Sequence, residues 1–260
     1  MSGKRGLVMG VANDHSIAWG IAKTLAGEGA ELAFTYQSDA LGKRVAPLAE
    51  ALGSAHVLPC DVEDVASVDA VFSALGAAWG SVDFLVHCIG FSDRNELKGR
   101  YADTSRENFI RTMVISVFSF TEIAKRAANM MPSGGAMLTL TFGGATRVVP
   151  NYNVMGVAKA ALEASVRYLA ADFGPQNIRV NAISAGPIRT LAGAGIADAR
   201  FMFNFQRVHS PLRRTVTIEN VGGAALYLLS PLSDSVTGDV HFVDAGYNIV
   251  SMPRPDEIKS

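Results

Sequence analysis

The sequence of 260 residues lacks the features that would place it in a membrane, outside the cell or on a polyanion. It has only two cysteines, Cys60 and Cys88, and their strand-like contexts indicate small buried residues rather than a disulfide. No apolar run approaches the roughly 18 residues of a membrane-spanning helix, and the N-terminal run 7–11 is too short for a signal peptide. The formal net charge is −1, which gives no reason to expect nucleic acid as a partner. We therefore expect a soluble, cytoplasmic protein.

The chain also lacks a metal-binding pattern and any sign of a domain boundary. No two of its five histidines stand at ligand spacing with a carboxylate between them, so we expect no metal site. No internal repeat, linker or low-complexity tract interrupts the chain, and 49% of its residues are hydrophobic. That composition is ample for one large core, so we expect a single domain over residues 1–260.

The sequence does contain a regular alternation of short strand-like runs and longer segments of helical period. This alternation predicts an α/β fold of the Rossmann type, a doubly wound parallel sheet of about seven strands with helices on both faces. Strands are predicted at Arg5–Met9, Glu31–Tyr36, Ala55–Pro59, Val82–Cys88, Ala136–Thr141, Arg179–Ser184 and Val240–Val243. Helices are predicted at Ile17–Glu28, Ala40–Leu52, Val65–Trp79, Arg106–Met131, Asn153–Phe173 and Ile218–Leu229.

One segment, Thr190–Arg214, breaks the alternation after the sixth strand. It carries several large apolar side chains, and ligands of doubly wound folds bind beyond the carboxyl ends of the strands. We therefore interpret 190–214 as a helical insertion that covers the substrate. An ordinary pair of buried helices is the alternative.

The turn after the first predicted strand has features of a dinucleotide site. A pyrophosphate needs a tight turn, a close approach of the backbone and a helix N-terminus with unpaired N–H groups. Gly10, Ser16 and Ile17 stand at these places, with Gly20 further along the helix, although the usual three-glycine pattern is missing. An ordinary βα turn would share this composition, so further evidence is needed.

The end of the second strand indicates which dinucleotide would bind. An acidic residue there commonly binds the adenosine 2′-hydroxyl of NAD, and this chain has Gln37. An amide can bond a hydroxyl, and no arginine is adjacent to hold a 2′-phosphate, although Lys43 and Arg44 follow on the next helix. We expect NADH as the cofactor, with NADPH less favoured.

A tyrosine and a lysine in the segment 150–159 form the clearest catalytic pattern. Tyr152 precedes Lys159 by seven residues, and at 100° per residue this spacing returns the lysine to within about 20° of the tyrosine. Short-chain dehydrogenases normally have this pair four residues apart. The longer spacing, within Asn-Tyr-Asn-Val-Met-Gly, resembles the enoyl-acyl-carrier-protein reductases of bacterial fatty acid synthesis. The resemblance extends from Leu7 to Gly246 and includes the segments 35–37, 181–190 and 213–217.

This resemblance implies a reaction, a cofactor and a set of partners. The reaction would be the NADH-dependent reduction of the 2,3-double bond of a trans-2-enoyl thioester. Tyr152 would donate to the enolate oxygen and Lys159 would bind the nicotinamide ribose. The substrate would be attached to acyl-carrier protein, steered by Arg200, Arg207, Arg213 and Arg214. The enzyme would be a homotetramer formed through its fourth and fifth helices and its final strand.

The resemblance also implies further contacts for the two ligands. Asp61 stands where the family binds adenine, although it could equally be a helix N-cap. Ile188, after Gly186-Pro187, would offer its amide and carbonyl to the nicotinamide carboxamide, and Thr190 would reach the pyrophosphate. Val62, Ile89, Gly90, Leu191 and Ala192 would complete the cofactor site. Ser92, Phe142, Tyr152, Met155, Ile196 and Met202 would contact the substrate.

One position departs from the family pattern. The enoyl reductases usually carry a second tyrosine ten residues before the catalytic one, and this chain has Phe142 there. We expect Phe142 to form an aromatic wall beside the substrate without donating a proton. Two other functions remain open: a short-chain dehydrogenase acting on a carbonyl, and a regulator that binds the dinucleotide without turnover.

Overall fold

The computed structural model describes residues 1–190 and 199–252. Within these ranges one sheet contains seven strands in the order β3-β2-β1-β4-β5-β6-β7, and every neighbouring pair is parallel. The strands are β1 (Arg5–Met9), β2 (Glu31–Tyr36), β3 (His56–Pro59), β4 (Phe84–His87), β5 (Gly135–Thr141), β6 (Ile178–Ala185) and β7 (Val240–Val243). The predicted doubly wound parallel sheet is confirmed. The fourth strand is shorter than predicted, so Cys88 lies just beyond it.

The helices also follow the prediction, with one exception. They are α1 (Ile17–Gly27), α2 (Asp39–Ala51), α3 (Val65–Trp79), α4 (Arg106–Met113), α5 (Ser119–Asn129), α6 (Asn153–Phe173), α7 (Ala199–His209) and α8 (Ile218–Leu229). The helix predicted over 106–131 is present as one continuous helical stretch over 106–129, but a π-helical turn, Val114–Phe118, divides it into α4 and α5. Such a turn keeps the apolar period of a helix almost unchanged, so the sequence pattern does not reveal it.

A hydrophobic core lies on each face of the sheet. On one face, α3, α5 and α6 pack through Leu75, Phe120 and Leu162. On the other face, α1, α2 and α8 pack through Leu25, Val45 and Val221. The apolar side chains alternate between these cores along each central strand, as in β1, where Leu7 belongs to the first core and Val8 to the second.

Two glycines let α1 and α8 approach each other closely. A Cβ atom at Gly20 would lie 2.5 Å from the carbonyl oxygen of Ile218. A Cβ atom at Gly222 would lie 2.3 Å from Thr24 Oγ1 and 2.8 Å from the carbonyl oxygen of Gly20. Gly20 therefore serves helix packing here, although it stands near the cofactor turn in the sequence.

We predict opposite effects for alanine at the two neighbouring glycines of α8. Gly222→Ala should lower the free energy of unfolding by about 1–3 kcal/mol, because the new methyl group would overpack the contact with α1. Gly223→Ala is the matched control, since a Cβ atom there meets nothing within 4 Å. That change should be neutral or stabilise by up to about 1 kcal/mol, the difference in helix propensity. Urea denaturation of both variants measures the effect, and equal midpoints would contradict the packing.

No helix among residues 1–190 and 199–252 is both long and apolar enough to span a bilayer. This finding agrees with the absence of long apolar runs in the sequence.

Candidate active site

Parallel pairing gathers the predicted site residues at one edge of the sheet. Gly10 follows β1, Gln37 follows β2, Asp61 follows β3 and Ile89 follows β4. Because β1 lies between β2 and β4, these four strand ends are neighbours. The chain reverses direction of winding between β1 and β4, the place where doubly wound folds bind dinucleotides.

The turn after β1 leaves a helix N-terminus open. Gly10 has a φ of 96°, and a Cβ atom there would lie 2.1 Å from the carbonyl oxygen of Cys88, so only glycine fits. The Ser16 hydroxyl accepts hydrogen bonds from the N–H groups of Ala12 (3.0 Å) and Asn13 (3.1 Å), which closes the turn. No side chain caps α1. Among the described residues, the N–H groups of Ile17 and Ala18 have no acceptor, whereas those of Trp19 and Gly20 donate to the Ser16 carbonyl. The first two are therefore available to an anion.

Gln37 and Asp61 meet across the ends of β2 and β3. The Gln37 amide donates to Asp61 Oδ2 at 3.5 Å, and Asp61 Oδ1 accepts from the Glu63 N–H at 3.0 Å. The N-cap of α3 is Asp64, whose side chain accepts from the Ala66 N–H. The alternative that Asp61 caps this helix is therefore wrong. The Asp61 carboxylate and the exposed Gln37 amide therefore lie together, at a place suited to the adenosine part of a dinucleotide.

Apolar side chains flank this pair. Val62 and Ile89 are half-buried, and both pack against the core on the α3, α5 and α6 face of the sheet. They provide partly exposed apolar surface beside Asp61.

The π-helical turn holds the loop after β4. Ser116 is fully buried, and its hydroxyl accepts from the Phe91 N–H (2.9 Å) and donates to the Phe91 carbonyl (3.1 Å). The preceding residue, Gly90, faces α6: a Cβ atom there would lie 3.7 Å from Lys159 Nζ and 3.6 Å from Met155 Cε. Ser116 thus fixes the backbone that runs past Lys159. Sequence reasoning missed Ser116 because its role depends on the π turn.

Tyr152 lies before α6 rather than on it. It occupies the N-cap position, between two asparagines with positive φ, Asn151 (60°) and Asn153 (37°). Tyr152 therefore precedes the first residue of α6, as the predicted bounds Asn153–Phe173 require, and the positive φ of Asn153 means that the steps from Tyr152 to Lys159 are not uniformly 100°. Asparagine tolerates the left-handed region better than most residues, which accounts for the pair of asparagines around the tyrosine.

Tyr152 is buried against Phe142. The two rings are 5.0 Å apart at an interplanar angle of 70°, an edge-to-face contact. Only 7% of Tyr152 is exposed, and burial raises the pKa of its phenol above the ordinary value. Its hydroxyl makes no hydrogen bond with the residues that the structure describes. Tyr152 is thus a protonated donor that the protein leaves unused.

Lys159 is also buried, and only one of the three N–H donors of its ammonium group has a hydrogen-bond partner among the described residues. Its ammonium donates to the Leu140 carbonyl at 2.8 Å, the one acceptor that the described part of the chain provides. Desolvation lowers the pKa of Lys159 to about 8, against the opposing effect of Cys88 and Glu163. An ammonium has three donors, so two remain for a ligand beside Gly90.

The predicted substrate contacts that the structure describes do not all lie beside Tyr152. Met155 packs with Tyr152 in a small apolar cluster that Phe142 joins. Ser92 is buried, and its hydroxyl is bonded to the side chain of Asn108 (3.1–3.3 Å), so it anchors the loop to α4. Met202 lies on α7, and Ile196 lies outside the described residues.

A cavity of about 1000 Å³ lies between α7, the loop after β6 and the turn after β1. Its lining includes His15, Ile188, Arg189, Phe203 and Arg207. Tyr152, Phe142 and Met155 do not line it, and neither does Met202. The cavity therefore borders the turn after β1 rather than Tyr152.

The loop after β6 differs from the expectation in one bond. The Ile188 carbonyl accepts from the Thr190 N–H at 2.9 Å, so the prediction that this carbonyl is unpaired is wrong. Residues 188–190 thus form a γ-turn. The turn follows Pro187, which has no N–H group with which to extend the pairing of β6. Thr190 is half-buried at the end of this loop, while Leu191 and Ala192 lie outside the described residues.

Gln206 fastens α7 to this loop. The side chain is 1% exposed, and its amide donates to the Asp244 carbonyl at 2.8 Å. A Cβ atom at Gly186 would lie 2.4 Å from Gln206 Nε2, so the two residues pack in close contact. No sequence pattern indicates Gln206, because its partners are distant in the chain.

Comparison with known proteins agrees with this geometry. The family described as Enoyl-(Acyl carrier protein) reductase matches residues 10–248. The chain belongs to this family. A Rhizobium meliloti (strain 1021) protein named enoyl-[acyl-carrier-protein] reductase [NADH] 2 is 72% identical to this enoyl reductase, over 100% of this chain and 97% of that protein.

Two crystal structures of enoyl reductases share the fold of this family member. The Anaplasma phagocytophilum enoyl-(acyl-carrier-protein) reductase in complex with NAD has a TM-score of 0.95 and 57% identity, and the match covers 98% of this chain and 97% of that one. The Bacillus cereus enoyl-acyl carrier protein reductase, with NADP+ and indole naphthyridinone, has a TM-score of 0.95 and 49% identity over 96% and 98% of the two chains.

Proposed function

We propose that this chain catalyses the NADH-dependent reduction of the 2,3-double bond of trans-2-enoyl-acyl-carrier-protein thioesters in fatty acid elongation. One observation carries the proposal. Tyr152 and Lys159 are both buried beside the strand ends that form a dinucleotide site, and each retains hydrogen-bond donors that the described protein does not use. Membership of the family and the names of the relatives support the same reaction.

The residues present fit a dinucleotide. The N–H groups of the first turn of α1 would hold the pyrophosphate, Gln37 and Asp61 would contact the adenosine, and Lys159 would donate to the nicotinamide ribose. The buried ammonium of Lys159 supports this assignment most strongly, because two of its donors have no described partner and a buried unpaired donor is costly.

The chemistry follows from what Tyr152 can donate. NADH, when bound, supplies a hydride for Cβ of the enoyl thioester. Negative charge then grows on the thioester carbonyl oxygen as an enolate forms, and a fixed donor at that oxygen lowers the barrier. A proton drawn from solvent then adds to Cα and gives the saturated acyl thioester. Burial keeps the Tyr152 phenol protonated, so it serves as this donor. Phe142 holds the tyrosine ring edge-on and excludes water, and the positive charge of Lys159 favours the enolate.

The proposal extends to the domain and its partners. We infer that residues 1–260 form one catalytic domain in which 190–214 covers the acyl chain. Ile196 and Met202 would contact the acyl chain, and Leu191 and Ala192 would contact the cofactor. The exposed arginines of this segment, including Arg200 and Arg207, would steer an acidic carrier protein. A cytoplasmic location belongs to the same proposal, because both NADH and carrier proteins are water-soluble.

A panel of substrates and cofactors tests the reaction. We expect consumption of NADH, followed by its absorbance, with crotonyl thioesters but not with acetoacetyl thioesters or simple ketones. NADH should give a higher kcat/KM than NADPH, because Gln37 offers no charge to a 2′-phosphate. Gln37→Arg should move this preference toward NADPH. Reduction of ketones would indicate a carbonyl dehydrogenase, and binding of NADH without turnover of any substrate would indicate a regulator.

Substitution of the proposed donor tests the mechanism. Tyr152→Phe should lower kcat by about 10²–10³-fold, the effect of removing one donor from an oxyanion site. The dissociation constant for NADH should stay near that of the wild type, since Tyr152 is not assigned to the cofactor. Stopped-flow turnover and fluorescence titration measure the two quantities. An unchanged rate would show that another group is the donor.

Phe142→Tyr is the matched control for this change. It adds a hydroxyl to the ring that contacts Tyr152 without removing the donor. We expect kcat to change by less than tenfold, or about 1.4 kcal/mol of barrier. A wild type that reduces no crotonyl thioester, together with an active Phe142→Tyr variant, would make the wild-type chain a relative that has lost the reaction.

We also propose that the enzyme is a homotetramer. Large apolar side chains are exposed on α4, on the π turn and on α6. They are Ile110 (53% exposed), Phe118 (56%) and Tyr168 (76%). The edge strand β7 with Phe242, and the neighbouring Leu232, form a second exposed apolar area. A tetramer with two-fold symmetry has more than one kind of subunit contact, and two exposed apolar areas agree with that requirement.

Light scattering of the purified protein tests the tetramer. The wild type should have about four times the 27.5 kDa chain mass. Phe118→Glu should shift the mass toward dimers, because a charge would be buried at one contact. Ala46→Glu, at an exposed apolar residue on α2, which packs on the opposite face of the sheet, should leave the mass unchanged. A wild type that is monomeric at micromolar concentration would contradict the proposal.

A further inference from the structure

The end of β5 binds two side chains of α6. The Leu140 carbonyl accepts from Lys159 Nζ at 2.8 Å, and the hydroxyl of the next residue, Thr141, donates to Glu163 Oε1 at 2.7 Å. Lys159 and Glu163 are four residues apart, so they lie one turn apart on the same side of the helix. Two consecutive strand residues therefore set both the rotation and the axial position of α6.

Glu163 is a buried carboxylate that the proposed reaction does not use. It is 9% exposed, and desolvation raises its pKa, while the Thr141 hydroxyl, Arg167 and Lys159 act in the opposite direction. A buried carboxylate is costly unless it is paired and hydrogen-bonded. Thr141 supplies the hydrogen bond, and Lys159 and Arg167 supply the charges.

The other titratable groups around Lys159 stay neutral near neutral pH. Cys88 and His87 lie at the end of β4 and interact electrostatically with Lys159, and Tyr152 precedes α6. Burial raises the pKa of Cys88 to about 12 and lowers the pKa of His87 to about 3, and it raises the pKa of Tyr152. Glu163 is thus the carboxylate in this cluster, and its hydrogen bond from Thr141 and the charges of Lys159 and Arg167 favour its ionised form.

We propose that Glu163 is a positioning residue, which pairs its charge with the buried Lys159 ammonium and, through Thr141, fixes α6 on β5 so that Lys159 faces the cofactor. This inference rests on the proposed role of Lys159 in binding NADH. Glu163 itself contacts neither ligand in this scheme. Its effect should therefore be seen in the pH dependence of cofactor binding rather than in the reaction alone.

Titration of NADH binding against pH tests this role. The wild-type affinity should fall as pH rises through about 8, where Lys159 loses its proton. Glu163→Gln keeps an acceptor for the Thr141 hydroxyl but removes the charge, so the positive form of Lys159 is less favoured. The midpoint of the fall should move to lower pH by roughly one unit. Glu50→Gln, at an exposed carboxylate on α2, should leave the midpoint unchanged.

The Thr141 variants separate positioning from a general loss of structure. Thr141→Val keeps the side-chain shape but removes the donor, and it should move the midpoint in the same direction by a smaller amount. Thr141→Ser keeps the hydroxyl and should behave as the wild type. Should Glu163→Gln fail to fold, equal midpoints for Thr141→Val and Thr141→Ser would overturn the proposal.

Two further outcomes separate this inference from the proposed function. A folded Glu163→Gln variant with the wild-type midpoint would overturn the role of Glu163 and leave that of Lys159 intact. Lys159→Ala should weaken NADH binding and abolish the pH dependence. An unchanged dissociation constant in Lys159→Ala would instead show that the assignment of Lys159 is wrong, and the inference about Glu163 would fail with it.

Discussion

The parallel pairing of β1 with β2 and β4 is the constraint on which the site depends. Parallel strands end at the same edge, so the residues that follow them are brought together even when they are far apart in the chain. This places the turn after Gly10 beside the loop at Gly90, and both beside the start of α6. The approach is so close that a side chain at Gly10 would collide with the backbone of Cys88. The geometry of the site is therefore set by the sheet.

The two side chains proposed to be catalytic show how the fold accommodates unusual groups. Tyr152 and Lys159 are both buried, and burial favours the neutral form of each. For the tyrosine this is useful, since a donor must keep its proton. For the lysine it opposes the charge that the proposed reaction uses, and the structure compensates with the Leu140 carbonyl and the carboxylate of Glu163. The same burial thus suits the tyrosine and opposes the charge of the lysine, whose ammonium donates its hydrogen bond to the end of β5.

Other parts of the site are held by contacts outside the catalytic pair. Ser116 binds both polar backbone groups of Phe91 from a π-helical turn, and Gln206 joins α7 to the ends of β6 and β7. These contacts connect the loops around the proposed cofactor to buried helices. Loops that must present backbone groups to a ligand need such anchors, because the sheet no longer holds them.

The sequence by itself determined the alternating pattern, the seven-stranded parallel sheet and most element bounds, because apolar periodicity and glycine positions report directly on burial and turns. It also identified Tyr152, Lys159, Gly10 and Gln37 through their spacing and their places after strands. Only the tertiary structure decided that asparagines with positive φ flank Tyr152, that Asp64 and not Asp61 caps α3, and that Ser116 and Gln206 anchor the loops around the site. These features depend on left-handed residues, a π turn and contacts between distant segments, and local periodicity carries no information about them.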